Sequence, residues 1–407
     1  MKNILLITTM YPTPDSDFHT KVCHYFTKEW VQMGYNVKVI HFKSTFPFFF
    51  YWIASLFNKQ IAKFIGNDDV EIKRRNKDLN FNIDYVSVHS IPIFKLIPHG
   101  KYSTKTIKNQ INKILKINES YDFKPDAIIG HFHNPQIEIV SEFKKRYPNV
   151  KTCVVLHENA SEIKKTYNRN YKELMLNIDV WGFRSKELKL GFETLFNKKN
   201  EGFICYSGIP KQYTSKSNLR DFKSGIENFV YVGQLIERKY PSAIISAVVK
   251  ALPNKNFHIS YIGKGYKKKN LNDISAMLGV AKNISILGKI PRDQIISHLD
   301  NSDCFIMISR DEVFGLVYLE AMARGCITIG ARNEGIDGVI RHGENGFLCE
   351  AGNIDELAKL LININSLSIK QLKEISKNAI ETAKEMTDYK VAEKYLNSVI
   401  NFKQKLK

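Results

Sequence analysis

Several things are scarce in this 407-residue chain. Its six cysteines form no Cys-x-x-Cys pair, which argues against a zinc ribbon, a redox motif or a disulfide framework. Four of them, Cys153, Cys205, Cys304 and Cys326, sit in apolar runs and read as reduced thiols inside strands, a state that fits the cytosol. No apolar stretch approaches the roughly 20 residues a membrane-spanning helix needs. The opening MKNILLITTMYP turns polar too soon for a signal peptide and reads as a first buried strand. Acid is short as well: 41 Asp and Glu face 60 Lys and Arg, for a net charge of +19. The lysines are spread along the whole chain, and no zinc-finger spacing, RNP-type aromatic motif or basic zipper is present. A dedicated nucleic-acid binder is therefore not expected. Anionic small molecules or an acidic membrane surface would suit the charge, as would a plain lysine-rich coding bias.

What is present is alternation. Short apolar runs (ILLITT, VKVIHF, YVSVHS, AIIGHF, CVVLHE, VWGFRS) are separated by helical patterns near 21–33, 104–117 and 135–146. After a polar segment, Lys211 to Asn218, that reads as a linker, the pattern restarts. FVYVGQL, ISYIG, ISILG, CFIMIS, CITIG and GFLCE follow, with helices near 240–251, 268–278, 354–365, 368–385 and 388–402. Continuous apolar strands between helices predict parallel sheets covered on both faces. The fold class is α/β, with two Rossmann-like doubly wound domains facing across a cleft. The expected boundaries are 1–206 and 207–385, with a last helix of about 386–407 packing back on the first domain. Ligands of such sheets bind beyond the carboxyl ends of the strands, so site residues are sought in strand-exit loops.

The most informative stretch is SRDEVFGLVYLEAMARG, Ser309 to Gly325, where seven residues separate Glu312 from Glu320. A strand precedes it, and its helix begins near Gly315 and stops at Gly325. The unpaired backbone N–H groups at that helix start form a candidate phosphate cradle. Glu312 falls in the loop and Glu320 about one turn into the helix, beside apolar Leu319, Ala321, Met322 and Ala323. Carboxylates so placed suit paired sugar hydroxyls. Lys239 follows another buried strand and belongs at its carboxyl end. In HFHNP, His131 and His133 follow the AIIG strand; at i, i+2 they would share a face of an extended strand, but no third metal ligand is evident. Asn134 before Pro135 is placed as a helix N-cap. Gly263-Lys264-Gly265 lacks the third glycine and the acid of a dinucleotide fingerprint, so a nicotinamide cofactor is not expected.

Taken together these motifs resemble the family 4 glycosyltransferases of GT-B fold. The likeness runs through ARNEGIDGVIRHGENGFLCEAGNIDELAKLL, YVGQLIERK, YIGKGYKKK, ILGKIPRDQI and CYSGIP over roughly 200–400, and more loosely over the first 200 residues. It implies retaining sugar transfer from a nucleoside diphosphate sugar, UDP- or GDP-linked, with no metal or other cofactor required. By analogy Glu320 binds the ribose, and Glu312 binds the transferred sugar with the N–H groups of Phe314, Gly315 and Leu316. Lys239 neutralises the diphosphate, Arg238 stands in the same loop, and Gly233, Gly263 and Ile290 lie on the donor side. Gln234 departs from the family, which usually has arginine there. The resemblance also implies a histidine near the end of the AIIG strand that contacts the donor sugar or the acceptor; His131 is favoured for it and counted as catalytic with Glu312 and Lys239, while His133 and His157 are read as acceptor-side. The loop Tyr11 to Lys21, with Asp17, His19 and Thr20, is read as facing the acceptor, although it lacks the family's glycine-rich turn. Competing readings are a GT-B sugar-nucleotide epimerase and a noncatalytic sugar-nucleotide-binding protein.

The acceptor is approached through FPFFFYWIASLF, Phe46 to Phe57. These twelve residues read either as buried core or as an interfacial segment, with Phe48, Phe49, Phe50 and Trp52 entering lipid and Lys59 and Lys63 meeting acidic head groups. The second reading points to an enzyme at the inner membrane face acting on a polyprenyl-diphosphate-linked or other glycan acceptor. Capsule, O-antigen or exopolysaccharide assembly would be its setting.

Overall fold

The computed structural model describes residues 2–14, 21–56, 77–97, 100–198, 202–215, 220–222, 225–254 and 256–402. Chain contacts divide it into two units. The first is Met1–Arg184, Leu188–Cys205 and Ala392–Lys407; the second is Ser185–Glu187 and Tyr206–Val391.

The first unit is built on an eight-stranded sheet. Its strands are β1 (Asn3–Thr8), β2 (Asn36–Thr45), β3 (Leu79–Ile83), β4 (Val86–Phe94), β5 (Ala127–His131), β6 (Lys151–Leu156), β7 (Val180–Phe183) and β8 (Phe203–Ile204). Their order is β3-β4-β2-β1-β5-β6-β7-β8. Only β3 runs antiparallel, against β4. Its LNFNI sequence is mostly exposed and polar at alternate positions, so a search for apolar runs passes over it. β1, β5 and β6 are buried almost throughout, as parallel strands between two helical layers must be. The helix Asp388–Ile400 runs from the second unit into the first. There Trp30 Nε1 donates to the Ala392 carbonyl at 2.9 Å, and Tyr395 packs edge-on against Phe26.

The second unit carries β9 (Asn228–Val232), β10 (His258–Ile262), β11 (Ile284–Gly288), β12 (Cys304–Ile306), β13 (Ile327–Ala331) and β14 (Phe347–Cys349). They form a six-stranded sheet in the order β11-β10-β9-β12-β13-β14, with parallel pairing throughout. Growth reverses at β9: β10 and β11 are added on one side, then β12 on the other. The loops leaving β9 and β12 therefore meet at a topological switch point, where ligands of such sheets bind.

Two sequence readings need correcting here. The polar segment from Lys211 is no simple linker: Lys211–Tyr213 is a 3-10 turn whose Tyr213 is fully buried, with its carbonyl accepting from Arg324 Nη1 at 3.1 Å. One aromatic anchor is enough to dock a stretch that lacks periodicity. Asn134 does not cap the following helix, Gln136–Arg146; its amide donates to the Gly100 carbonyl at 3.3 Å.

Candidate functional site

β12 hands the chain to a loop that turns at Gly315 into the helix Leu316–Ala323. Gly315 has φ +74°, and a Cβ there would lie 2.7 Å from the Tyr318 ring, so both backbone and space demand glycine. The loop is pinned at Glu312, whose N–H donates to Glu334 Oε2 at 2.8 Å and whose carbonyl accepts from Gly335 N at 2.8 Å. Burial holds the Glu334 carboxyl above the usual range, opposed by the N–H groups it accepts.

Lys239 and Arg238 reach this loop from the β9 exit. Lys239 Nζ is 2.9 Å from Glu312 Oε2, and Arg238 Nη1 is 3.7 Å from the same oxygen. Arg238 also donates to the carbonyls of Arg310 and Asp311, both at 3.2 Å, and its own carbonyl accepts from Arg310 N at 2.7 Å. Two adjacent cations and a carboxylate distant in sequence thus form one charged cluster at the switch point. Phe314 is buried and stacks on Tyr206, with ring centroids 5.1 Å apart.

One turn into the helix, Glu320 is buried and accepts from Arg292 Nε at 3.1 Å and from Nη2 more closely. Burial pushes the Glu320 carboxyl up, and the guanidinium opposes that shift. Arg292 lies over the Tyr213 ring at 5.7 Å, and Tyr213 is itself pushed up to about 12 by burial and then by Glu320. Arg292, Tyr213 and Glu334 escaped the sequence reading. Arg292 follows Ile290-Pro291 in ILGKIPRDQI, and nothing local to that segment announces a partner in another helix. Half-buried Ile290 precedes it.

At the β9 and β10 exits, Gly233 N donates to the Ile262 carbonyl at 2.9 Å and Gly263 N to the Gly288 carbonyl at 2.8 Å. A Cβ on Gly263 would sit 1.8 Å from the Gly233 oxygen, at φ +145°. The first glycine of Gly263-Lys264-Gly265 is therefore required by loop-on-loop packing. Gln234 points outward, exposed, while its carbonyl accepts from the Tyr231 hydroxyl at 2.7 Å.

In the first unit, His131 ends β5 fully buried. Its Nδ1 is 2.9 Å from His157 Nε2, and its Nε2 is 3.0 Å from the Tyr395 hydroxyl. Burial drives it down to about 3, so it is neutral. Both ring nitrogens are engaged inside the unit. His133 does not share its face: Phe132 adopts φ +74°, which breaks the extended backbone, and His133 turns to Glu158 Oε1 and to Thr166 Oγ1 at 2.9 Å. His157 stacks on Phe132 with centroids 4.0 Å apart. Asp17, His19 and Thr20, like Lys59 and Lys63, lie outside the described residues. Among the described residues no three His, Cys, Asp or Glu side chains are grouped to hold a metal ion.

Phe48–Leu56 is a helix. Phe48, Phe49, Trp52, Ile53 and Leu56 are exposed on one face, with Phe48 at 71% and Trp52 at 60%. Half-buried Phe50 turns the other way, against Phe46 at 4.6 Å between centroids. The buried-core reading does not hold for that outer face. Among the described residues no helix is long and apolar enough to cross a membrane.

Comparison with known proteins agrees with this layout. Residues 217–383 match the sequence model of the family described as Glycosyl transferases group 1. An uncharacterized glycosyltransferase of Methanocaldococcus jannaschii is 25% identical over 330 residues, covering 77% of this chain and 88% of that protein. The alpha-monoglucosyldiacylglycerol synthase of Acholeplasma laidlawii is 31% identical over 229 residues, covering 54% of this chain, which spans only 56% of that protein's length. Among solved structures, the Anabaena protein HepE in complex with UDP superposes with a TM-score of 0.67 at 15% identity, covering 99% of this chain and 100% of that one. With its two parallel-sheet α/β units, the chain has a GT-B fold. The family match and the relatives support its placement among the group 1 glycosyltransferases.

Proposed function

We propose that the protein transfers a sugar, with retention of anomeric configuration, from a nucleoside diphosphate sugar to an acceptor hydroxyl. The observation that carries this reading is the convergence of Lys239, Arg238 and Glu312 at the β9–β12 switch point, beside a helix start and Glu320. The diphosphate of a departing nucleotide gains charge as the sugar leaves. Lys239 and the unpaired N–H groups at the Gly315–Leu316 helix start would stabilise that charge, each such contact being worth roughly 3–4 kcal/mol in comparable settings. Glu320 would accept from the ribose and Glu312 from the transferred sugar. Arg238 adds positive charge where Gln234 has none. No metal or other cofactor is assigned a role.

The acceptor is proposed to be a lipid-linked glycan met at the inner membrane face, in assembly of a capsule, O-antigen or exopolysaccharide. The exposed aromatic face of Phe48–Leu56 and the excess of cationic residues favour a membrane-facing substrate. A relative named for making a glucosylated diacylglycerol is in keeping with this. UDP in the HepE complex favours a uridine donor among the candidates. The test is a panel of UDP- and GDP-sugars assayed by calorimetric binding and by slow hydrolysis. One donor binding at micromolar affinity, with hydrolysis lost in Lys239→Ala, is expected. Binding of none of them would overturn the reading.

A further inference from the structure

The turn that carries Lys239 ends on a backbone that side chains avoid. Glu237–Lys239 is a single 3-10 turn, and Tyr240 after it takes φ +46° and ψ +45°, in the left-handed region. Bulky residues are uncommon there. The sequence shows why the chain needs this conformation. Pro241 opens the helix Pro241–Ala251, and a residue before proline is disfavoured in the right-handed helical region. Tyr240 still has to reverse the chain, and its carbonyl accepts from Ala243 N at 3.1 Å as that helix starts. Glycine would do this without strain; what tyrosine adds is its ring.

Two other strand-exit loops meet that ring. After β14, Gly352 has φ +71°, and a Cβ on it would lie 2.8 Å from the Tyr240 ring, so its backbone sits directly against the aromatic surface. After β12, the Arg310 guanidinium lies 5.7 Å from the ring centroid, within cation–π range. Backbone bonds tie the same loops together: Gly352 N donates to the Ile308 carbonyl at 3.2 Å, and Arg310 N to the Arg238 carbonyl at 2.7 Å. The start of the turn is fixed separately, the Tyr266 hydroxyl accepting from Glu237 N at 3.0 Å.

Lys239 stands between these anchors. Its side chain runs to Met307 Sδ at 3.7 Å and to Glu312 Oε2 at 2.9 Å. A lysine stem is flexible, so the place of its ammonium depends on how firmly its backbone is held. A misplacement of about 1 Å can cost a reaction about 100-fold.

We infer that Tyr240 is a positioning residue for the proposed transfer. Set against Gly352 and Arg310, its ring fixes the Glu237–Lys239 turn and keeps the Lys239 ammonium beside Glu312, at the place proposed for the donor diphosphate. What Lys239 does there rests on the transferase reading; how it is held does not.

The test compares Tyr240→Gly, which allows the same backbone and removes the ring, with Tyr240→Phe, which keeps the ring. In the full chain without donor, trace acetic anhydride labels lysine amines, and mass spectrometry reads Lys239 against exposed Lys282. Lys239 should react about fivefold or more slowly than Lys282 in the native protein and in Tyr240→Phe, and Tyr240→Gly should lose that protection. Turnover is read in the same variants. It should fall about tenfold or more in Tyr240→Gly, stay within about twofold in Tyr240→Phe, and fall no further when Tyr240→Gly is added to Lys239→Ala. A ring that only stabilised the fold would lower the melting temperature and cost the same turnover in either background. Thermal unfolding accompanies each variant. If Tyr240→Gly does not fold, Gly352→Ala, whose Cβ presses on the ring, takes its place in both readings. Lys239 reacting as fast as Lys282 in the native protein, protection unchanged in the folded variant, or equal losses of turnover in the two backgrounds overturns the proposal. A native protein that turns over no donor refutes the transferase reading alone, and the labelling still decides whether Tyr240 holds Lys239.

Discussion

The Lys239 ammonium lies 2.9 Å from the Glu312 carboxylate, the two side chains being only 12% and 13% exposed. Each is the other's nearest opposite charge across two strand-exit loops. In the proposed reaction they serve different parts of one donor, Lys239 the diphosphate and Glu312 the sugar. Donor binding therefore has to exchange this internal pair for substrate contacts.

Removing either partner changes the other's circumstances. Lys239→Ala should lower kcat by about 100- to 1000-fold while the protein stays folded. Glu312→Gln should also cut turnover, and the double variant should lose less than the product of the two, because residues in contact couple. Steady-state kinetics with the identified donor decide this. Near-normal turnover in both folded single variants would remove them from the site.

Arg292 and Glu320 form the second pair. Arg292→Ala leaves a buried carboxylate without its cation, and thermal or urea unfolding should show a loss of about 2 kcal/mol at neutral pH, discounted for the partial exposure of Arg292. The sign with pH follows from Glu320, whose carboxyl is raised on folding. The penalty is full above the folded-state value and disappears below the unfolded one, so the variant's deficit should shrink on acidification. A deficit equal at pH 5 and pH 8 would show that charge is not its cause.

Buried neutral histidines predict acid sensitivity. His131 is lowered to about 3, His89 to about 4, and His157 well below its ordinary range, burial being the leading cause in each. Below the unfolded-state value near 6.5 the unfolded chain takes up protons that the folded chain refuses, so stability falls as pH falls, by about 1.4 kcal/mol per pH unit for each histidine. Unfolding measured from pH 7 to pH 5 should follow that direction. His131→Gln, compared with the native protein, should show a shallower dependence by about one proton.

Gly263→Ala tests the packing at the β9 and β10 exits. A Cβ 1.8 Å from the Gly233 oxygen cannot be absorbed by a side-chain shift, and a loss above about 3 kcal/mol is expected, together with impaired donor binding. Gly343→Ala lies at a left-handed φ of +81° with no atom within 4 Å of the new Cβ, and should cost only about 1 kcal/mol. Differential scanning calorimetry of the two variants compares collision added to backbone strain with backbone strain alone.

Glu312, Glu320 and the helix start between them were legible because strand, glycine turn and helix are local patterns, and two carboxylates at that spacing stand out in an apolar frame. Arg292 was not, since its guanidinium meets Glu320 only after two helices pack side by side. A strand end is where a ligand should be, and His131 stands at one. The Asp388–Ile400 helix supplies Tyr395 and buries it. The aromatic run at 48–56 was ambiguous, as one composition suits a core helix or a surface one.

The order of apolar runs along this chain was enough to determine the α/β class, and spacing within one segment placed the two glutamates around a helix start. Those depend on periodicities of two and 3.6 residues, which are written locally. Tertiary structure alone decided that β12 lies beside β9, bringing Lys239 to Glu312. Strand order and register arise from long-range packing, and no window of sequence contains both partners of such a contact.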